Sequence, residues 1–461
     1  MFQNNLLMAA DAATSGTSLV SVGNSALFNQ DNSEYLSRTP AGAGNRDTWT
    51  FSTWVYRTQQ AATDTLFTGG ADSSNNTVVV IWDNGIQYLQ SDSGSFTDNI
   101  VCAPDFRDIG WYHVVIAVDT TQAVEANRVI MYSNGALLPL SSANYPAQNV
   151  DTDINSTSPH AIGAWYGSAG HAEDGYMAET VLIDGLQLTP TSFGEFDSTG
   201  LYWTPLASAT IKALTFGTNG FYLDNTTNAE TDASGNGNNW TNNNTVTTTT
   251  HTPTNTEALP NILQSWSAVM TLTNGNKTVT NSSSYSGIPL SLPVKMGGSG
   301  IYWIEFRVDS KNSNQAQFPL FGVAPADHNF NVANSYAGSD ADSISYRADG
   351  TKITGGSTSA YGAAFVVSDV IGMLITESSG TVTMYKQTSG TGSFATQGNL
   401  ITSLSGDYIV AILPMDDTSS STGPATITCR IDSSEWGNSS PPTGAKALNT
   451  TNIAAATSRT A

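Results

Sequence analysis

The sequence predicts an all-β protein made of two antiparallel sandwich domains joined by an Asn/Thr-rich linker. Three observations predict it. Short runs alternate polar and apolar residues, the period of a half-buried strand. Asn-Gly and related turn signals separate these runs, as hairpins require. The 461-residue chain is 39% hydrophobic and only 12% charged, with 41 Gly and 17 Pro and a polar remainder rich in Ser, Thr and Asn. Such a composition favours strands and turns over long helices.

The first zone of strands spans 17–222. Thr48 to Val55 alternates, and the run Val78 to Trp82 is followed by Asp83-Asn84-Gly85 and a returning run Ile86 to Leu89. The segment Trp111 to Asp119 is apolar on both faces and suits a central strand. A further hairpin joins Arg128–Tyr132 through Ser133-Asn134-Gly135, and Gly175 to Asp184 is a late strand running into Gly185. Pro190 opens a short helical turn at a position where its missing N–H costs nothing.

Composition shifts at 223–262, where DASGNGNNW precedes Asn, Thr and Pro with little apolar content. By composition this is a linker. A second zone, 263–445, holds Tyr302 to Val308, Phe321 to Ala324, Ile344 to Tyr346, the stretch from Tyr361 to Gln387, Asp407 to Pro414 and Ala425 to Ile431. The remainder, 446–461, is small and polar and reads as a flexible tail. At the other end, 1–16 is too short for a domain. Its Phe2, Leu6, Leu7 and Met8 are costly to leave in water, so this peptide is expected to dock on a partner.

The net charge of −22 argues against nucleic acid as a partner, since phosphates need a basic patch. No run is long and apolar enough for a membrane helix, and the first residues lack the basic and apolar regions of a signal peptide. Cys102 and Cys429 fall in strand contexts and are expected to be free buried thiols.

Two resemblances refine the reading. Thr48–Val55 with its Trp, Trp111-Tyr112-His113, Met131-Tyr132-Ser133-Asn134-Gly135 and Gly175-Tyr176-Met177-Ala178-Glu179 follow the order of the LamG, concanavalin A-like family. That family implies a jelly roll of two sheets. Ser368-Asp369-Val370-Ile371-Gly372 and Met384-Tyr385-Lys386-Gln387 resemble the core of SPRY domains, which are binding modules. The whole arrangement, with its DxSGNGNNW segment between the two zones, is similar to structural proteins of tailed bacteriophages, particularly marine ones.

Catalytic patterns are thin. Concanavalin-like glycosidases set carboxylates on alternate positions of one strand. The nearest cluster, Glu173, Asp174 and Glu179, has the wrong spacing, and Gly175 interrupts it. No histidine pair has metal spacing, and no nucleophile elbow or phosphate loop is present. His113 reads as a packed core residue. The LamG resemblance implies one Ca²⁺ at a loop rim, with Asp151, Asp153, Glu173 and Asp174 as candidate oxygen donors. Trp165, Tyr166 and His171 flank a Gly-rich loop and are the candidates for stacking on a sugar.

These readings converge on a non-enzymatic bacteriophage virion protein: a fibre, tail appendage or capsid decoration displayed on the virion surface. Its expected partners are other virion proteins, a host cell-surface glycan and copies of itself in a homotrimer. A purely structural decoration and a polysaccharide depolymerase are the alternatives.

Overall fold

The computed structural model describes residues 20–456 except 59–62, 73, 104–105, 107–108, 166–171, 266–269, 282–285, 312–315, 416–423 and 438–440. The described residues divide into two compact units that meet in sequence between Asn255 and Thr256. Nearly every described strand pairing is antiparallel, which is the predicted fold class. No described helix is long and apolar enough to cross a membrane.

The first unit is a pair of sheets. One orders Ala136–Leu137, Val129–Ser133, Gly110–Asp119, Thr48–Arg57, Gly175–Asp184, Ser25–Phe28 and Thr247–Thr249, with Phe221–Leu223 also on Gly175–Asp184. The other orders Leu140–Asn144, Ser95–Cys102, Gly85–Asp92, Asn75–Trp82, Asp64–Asp72, His160–Ile162, Tyr35–Arg38 and Thr241–Asn243. Trp49, Phe51, Phe67, Val79, Ile81, Tyr88, Val114 and Ile116 fill the core. Phe51 stacks on Phe67 with ring centroids 4.8 Å apart.

The double-sided apolarity of Gly110–Asp119 has a packing cause. Val114, Ile116 and Val118 face that core. Val115 faces the other way, onto Phe193, Ile211 and Phe216. Two-residue turns close the predicted hairpins. Asp83 and Asn84 both have positive φ (51° and 64°), as do Asn134 and Gly135 (47° and 79°), the mark of turns whose twist matches the strands.

Two boundaries need correction. Residues 223–249, expected in the linker, belong to the first sandwich. Thr241–Asn243 pairs with Tyr35–Arg38, and Thr247–Thr249 with Ser25–Phe28. Ala229, Trp240 and Val246 join the core. The DASGNGNNW segment is a self-satisfied turn. The Asp232 carboxylate accepts from the backbone N–H groups of Tyr222, Ser234 and Asn238 and from the Ser234 hydroxyl. The supposed tail is also built in: Lys446–Ala447 pairs in parallel with Ile301–Ser310, and Thr450–Ala456 is a helix. Leu448 is fully buried and Ile453 nearly so. Polar composition misled both readings because the few apolar residues in each segment are the ones that go inside.

The second unit is again two sheets. Met270–Thr273, Thr278–Asn281, Ala425–Arg430, Ile301–Ser310, Val370–Thr376, Thr381–Gln387 and Ala395–Ile401 form the first in that order. Ile288–Pro289, Gly406–Leu413, Leu320–Pro325, Ile344–Arg347, Thr351–Thr354 and Ser357–Ala360 form the second, with Val294–Met296 also on Gly406–Leu413. Phe306 and Phe321 stack at 4.8 Å. Cys102 and Cys429 are buried thiols, and neither is in a disulfide among the described residues.

Candidate functional site

Of the recognition residues predicted from sequence, Trp165 falls on the outer face of the second sheet of the first unit. Along Asn75–Trp82, Val79 and Ile81 point into the core while Val78 and Val80 point out. The outward pair and Leu89 would meet water, but Trp165 covers them, with Trp82 beside it. Trp165 is accordingly buried, 7% exposed, rather than free for stacking. Tyr166 and His171, the other two candidates, lie outside the described residues, as do Phe2, Leu6, Leu7 and Met8 of the expected docking peptide.

The part of this face that remains open was not singled out from sequence. Phe96 is 50% exposed, and its ring centroid is 6.4 Å from that of Trp165. Asn99 lies opposite Leu89 in the ladder and opposite Asn144 on the other side. Directly opposed residues of antiparallel strands share a face, so Asn99, Asn144 and Leu89 present together. The Asn99 Oδ1 accepts no hydrogen bond among the described residues. That oxygen is buried, and the Asn144 amide donates to the Thr97 carbonyl at 2.6 Å, so the exposed Phe96 ring is what this face offers to the apolar side of a saccharide. The signal in the sequence is the bulge in Ser95–Cys102, which turns Phe96 to the outer face and is invisible to a simple period-two reading.

The four acidic candidates do not form one set. Asp151 and Asp153 lie 3.1 and 3.7 Å from the two terminal nitrogens of Arg46. Glu173 and Asp174 are buried near a different arginine, Arg57, which makes a 2.9 Å ion pair with the equally buried Asp64. Burial pushes Asp64 up to about 6 despite Arg57. Burial also holds Glu173 well above the usual carboxylate range, and the neighbouring Asp64 adds to this. Such an acid is kept neutral by desolvation. Among the described residues no group of three His, Cys, Asp or Glu side chains is placed to hold a metal. Calcium asks for six to eight oxygens, so the candidate donors do not fit it as a single centre.

Glu179 is separated from Glu173 by its partners. It sits at φ 52°, in the register break between Ala178 and Val181. That conformation is uncommon for a residue with a side chain. Its carboxylate accepts the Tyr222 hydroxyl, next to Ser208. A Lys212–Asp224 ion pair of 2.8 Å lies near by. Burial raises Glu179 to about 7. A folded-state value above the ordinary 4.5 means that protonation favours folding. This contribution is complete below about pH 4.5 and is lost as pH rises through 7. Glu179→Gln is therefore expected to stabilise the protein by about 1–3 kcal/mol at pH 8 relative to wild type, with the gain vanishing near pH 4.5. Urea melts at the two pH values check this; a gain that does not change with pH would contradict it.

His113 is packed, as predicted, between Trp54 and Trp203, with centroids 5.0 and 6.0 Å away. The Trp203 indole N–H donates to Nδ1 at 2.9 Å, so Nε2 carries the proton and donates to the Ser52 hydroxyl at 2.9 Å. Burial pushes it down to about 3, and it stays neutral.

In the second unit, the segments 310–317 and 327–342 are polar and contain several Asn residues. Residues 312–315 lie outside the described residues. The 327–342 segment is tied down by His328, which is 3.1 Å from Asp340 and hydrogen-bonds Ser335. Val332 is 43% exposed within it.

Comparison with known proteins gives the following. No curated protein matches the chain. The two-domain LG4-5 fragment of the mouse laminin alpha1 chain is 12% identical, with 90% of each chain covered and a TM-score of 0.32. The SPRY domain of human HERC1 is 18% identical over 35% of this chain and 91% of its own, TM-score 0.26. Stonustoxin is 15% identical over 38% of this chain, which spans only 27% of the stonustoxin chain, TM-score 0.28. Likenesses at these TM-scores carry no functional weight. Residues 30–190, the greater part of the first unit, match the family model of the concanavalin A-like lectin/glucanases superfamily.

Proposed function

We propose that this protein is a non-enzymatic adhesive component of a bacteriophage virion, a fibre, tail appendage or capsid decoration. Its first sandwich meets host surface glycan through the outer face around Phe96. One observation carries the binding reading: Phe96 is half exposed on the outer face, with its ring centroid 6.4 Å from that of Trp165. The family match of residues 30–190 supports a lectin-like fold for this sandwich. The virion assignment rests on the sequence resemblance. In this reading the protein sits on the virion surface, docks through Phe2, Leu6, Leu7 and Met8, and assembles as a homotrimer.

The test is binding of the full-length protein to a panel of bacterial surface polysaccharides. Saturable binding to at least one is expected, and Phe96→Ala weakens it about tenfold or more, the loss of one stacking contact of about 1.4 kcal/mol. Phe96 is half exposed, so the variant keeps the wild-type melting temperature within a few degrees. Undiminished binding by Phe96→Ala would remove this face from the proposal. Release of reducing ends from a bound polysaccharide would replace adhesion with depolymerisation.

A further inference from the structure

Lys277 of the second unit is a buried amine between two carboxylates. It closes the Asn274–Lys277 turn, in which Asn274 and Asn276 take positive φ (55° and 65°). That turn directs the side chain inward, where it is 4% exposed. Its Nζ lies 3.0 Å from Oε2 of Glu257 and 2.5 Å from Oε1 of Glu435. The Glu257 side chain is fully buried, whereas that of Glu435 is 29% exposed. Both are held in place. Glu257 is bridged through its backbone to Asn449 and followed by the fully buried Ala258 and Leu259. The second oxygen of Glu435 accepts the backbone N–H groups of Ile431 and Asp432.

We propose that Lys277 and Glu257 condense into an intramolecular amide, with Glu435 as the base and proton carrier. The Lys277 ammonium passes one proton to the Glu435 carboxylate. The freed lone pair attacks Cδ of Glu257 in its neutral acid form. One C–N bond forms, one C–O bond breaks, and the hydroxyl leaves as water with one of the two remaining amine protons, the other staying on the amide nitrogen. Ammonium, acid and carboxylate thus become amide, water and the acid form of Glu435, which opens to solvent and returns its proton there. Nothing is oxidised or reduced.

Three features of the site favour this step. A fixed amine and acid in a dry site react as if at very high concentration. Burial raises Glu257 to about 7, so much of it is the neutral acid that an amine can attack. The product exchanges a buried ion pair, which is costly to desolvate, for a neutral amide. The contrast within the same unit is Lys386, 3.2 Å from Asp369. The Asp369 oxygens accept the backbone N–H groups of Val366 and Ser389, and Lys386 also donates to the Ala364 carbonyl. That arrangement gives Lys386 no second carboxylate partner among the described residues, so it serves as the control.

The experiment is intact-mass spectrometry of the denatured full-length protein, followed by fragment sequencing. The expected mass is one water below that of the sequence, with Lys277 joined to Glu257 and Lys386 unmodified. A wild-type protein of full sequence mass, or a water loss mapped elsewhere, overturns the proposal. Glu435→Gln keeps the side-chain shape and removes the base. It is expected to slow amide formation about a hundredfold or more, leaving freshly made protein at full mass. Amide formation at the wild-type rate in that variant overturns the role of Glu435. The Lys277→Arg protein is expected to show full mass in every preparation; a water loss in it overturns the assignment to Lys277.

Discussion

Trp240→Ala is expected to destabilise the first unit by about 3–5 kcal/mol, the cost of emptying a large aromatic site in a packed core. Trp240 is 5% exposed, and its ring meets Phe221 edge-on at 5.0 Å and Phe67 at 6.4 Å. The cavity would open between the sheets, where Val79, Leu36 and Ile162 belong to the same cluster. A shift of that size is a large part of the stability of any single domain. Urea or thermal melts of the variant read it directly. If the segment were a tether, with Trp240 merely resting on a surface, the change would stay below about 1 kcal/mol. The outcome thus decides whether residues 223–249 are structural members of the sandwich.

Gly372→Ala is the second large effect, also destabilising, but its cause is the opposite of a cavity. A Cβ at position 372 would stand 2.1 Å from Cη2 and 2.3 Å from Cζ2 of Trp303. Trp303 has no room to retreat. It is fully buried, edge-on to Tyr385 at 5.2 Å and to Phe394 at 5.0 Å, and its indole N–H donates to Glu305 at 3.1 Å. Overpacking of this kind typically costs about 1–3 kcal/mol and more where nothing can shift, so a loss of about 3 kcal/mol or more is expected in denaturant melts. Adding Trp303→Phe to Gly372→Ala should return part of it, because the smaller ring vacates the contested space. A Gly372→Ala protein as stable as wild type would mean that the ring and strand are not packed in this way.

The SPRY-like stretch shows how a local pattern can be read without its cause. Ser368 to Gly372 was legible as a turn entering a strand, and the structure supplies the reasons. Ser368 takes φ 72°, Asp369 is fully buried and paired with Lys386, and Gly372 leaves space for Trp303. The Trp303 contact joins residues far apart in sequence, so alternation along the chain could not have revealed it.

The acidic candidates fail for a related reason. Asp151 and Asp153 are near each other in sequence and share Arg46; Glu173 and Asp174 turn inward near Arg57 and Asp64. Proximity in sequence predicted each pair, but nothing local told which arginine would receive it. His113 was placed correctly because a histidine within an apolar strand is decided by the strand itself.

Strand identity, hairpin turns and the two-sandwich class were written in the chain, because they follow from period-two alternation and from residues that tolerate positive φ, both local properties. Folding alone settled where the sandwiches end, which carboxylates meet, and that Phe96 rather than Trp165 faces solvent. Those outcomes depend on pairings across the sheets, such as Thr241–Asn243 with Tyr35–Arg38, whose partners lie about two hundred residues apart. Burial is a property of such assembled neighbours, so a polar, Asn-rich segment is drawn inside by the one tryptophan it carries.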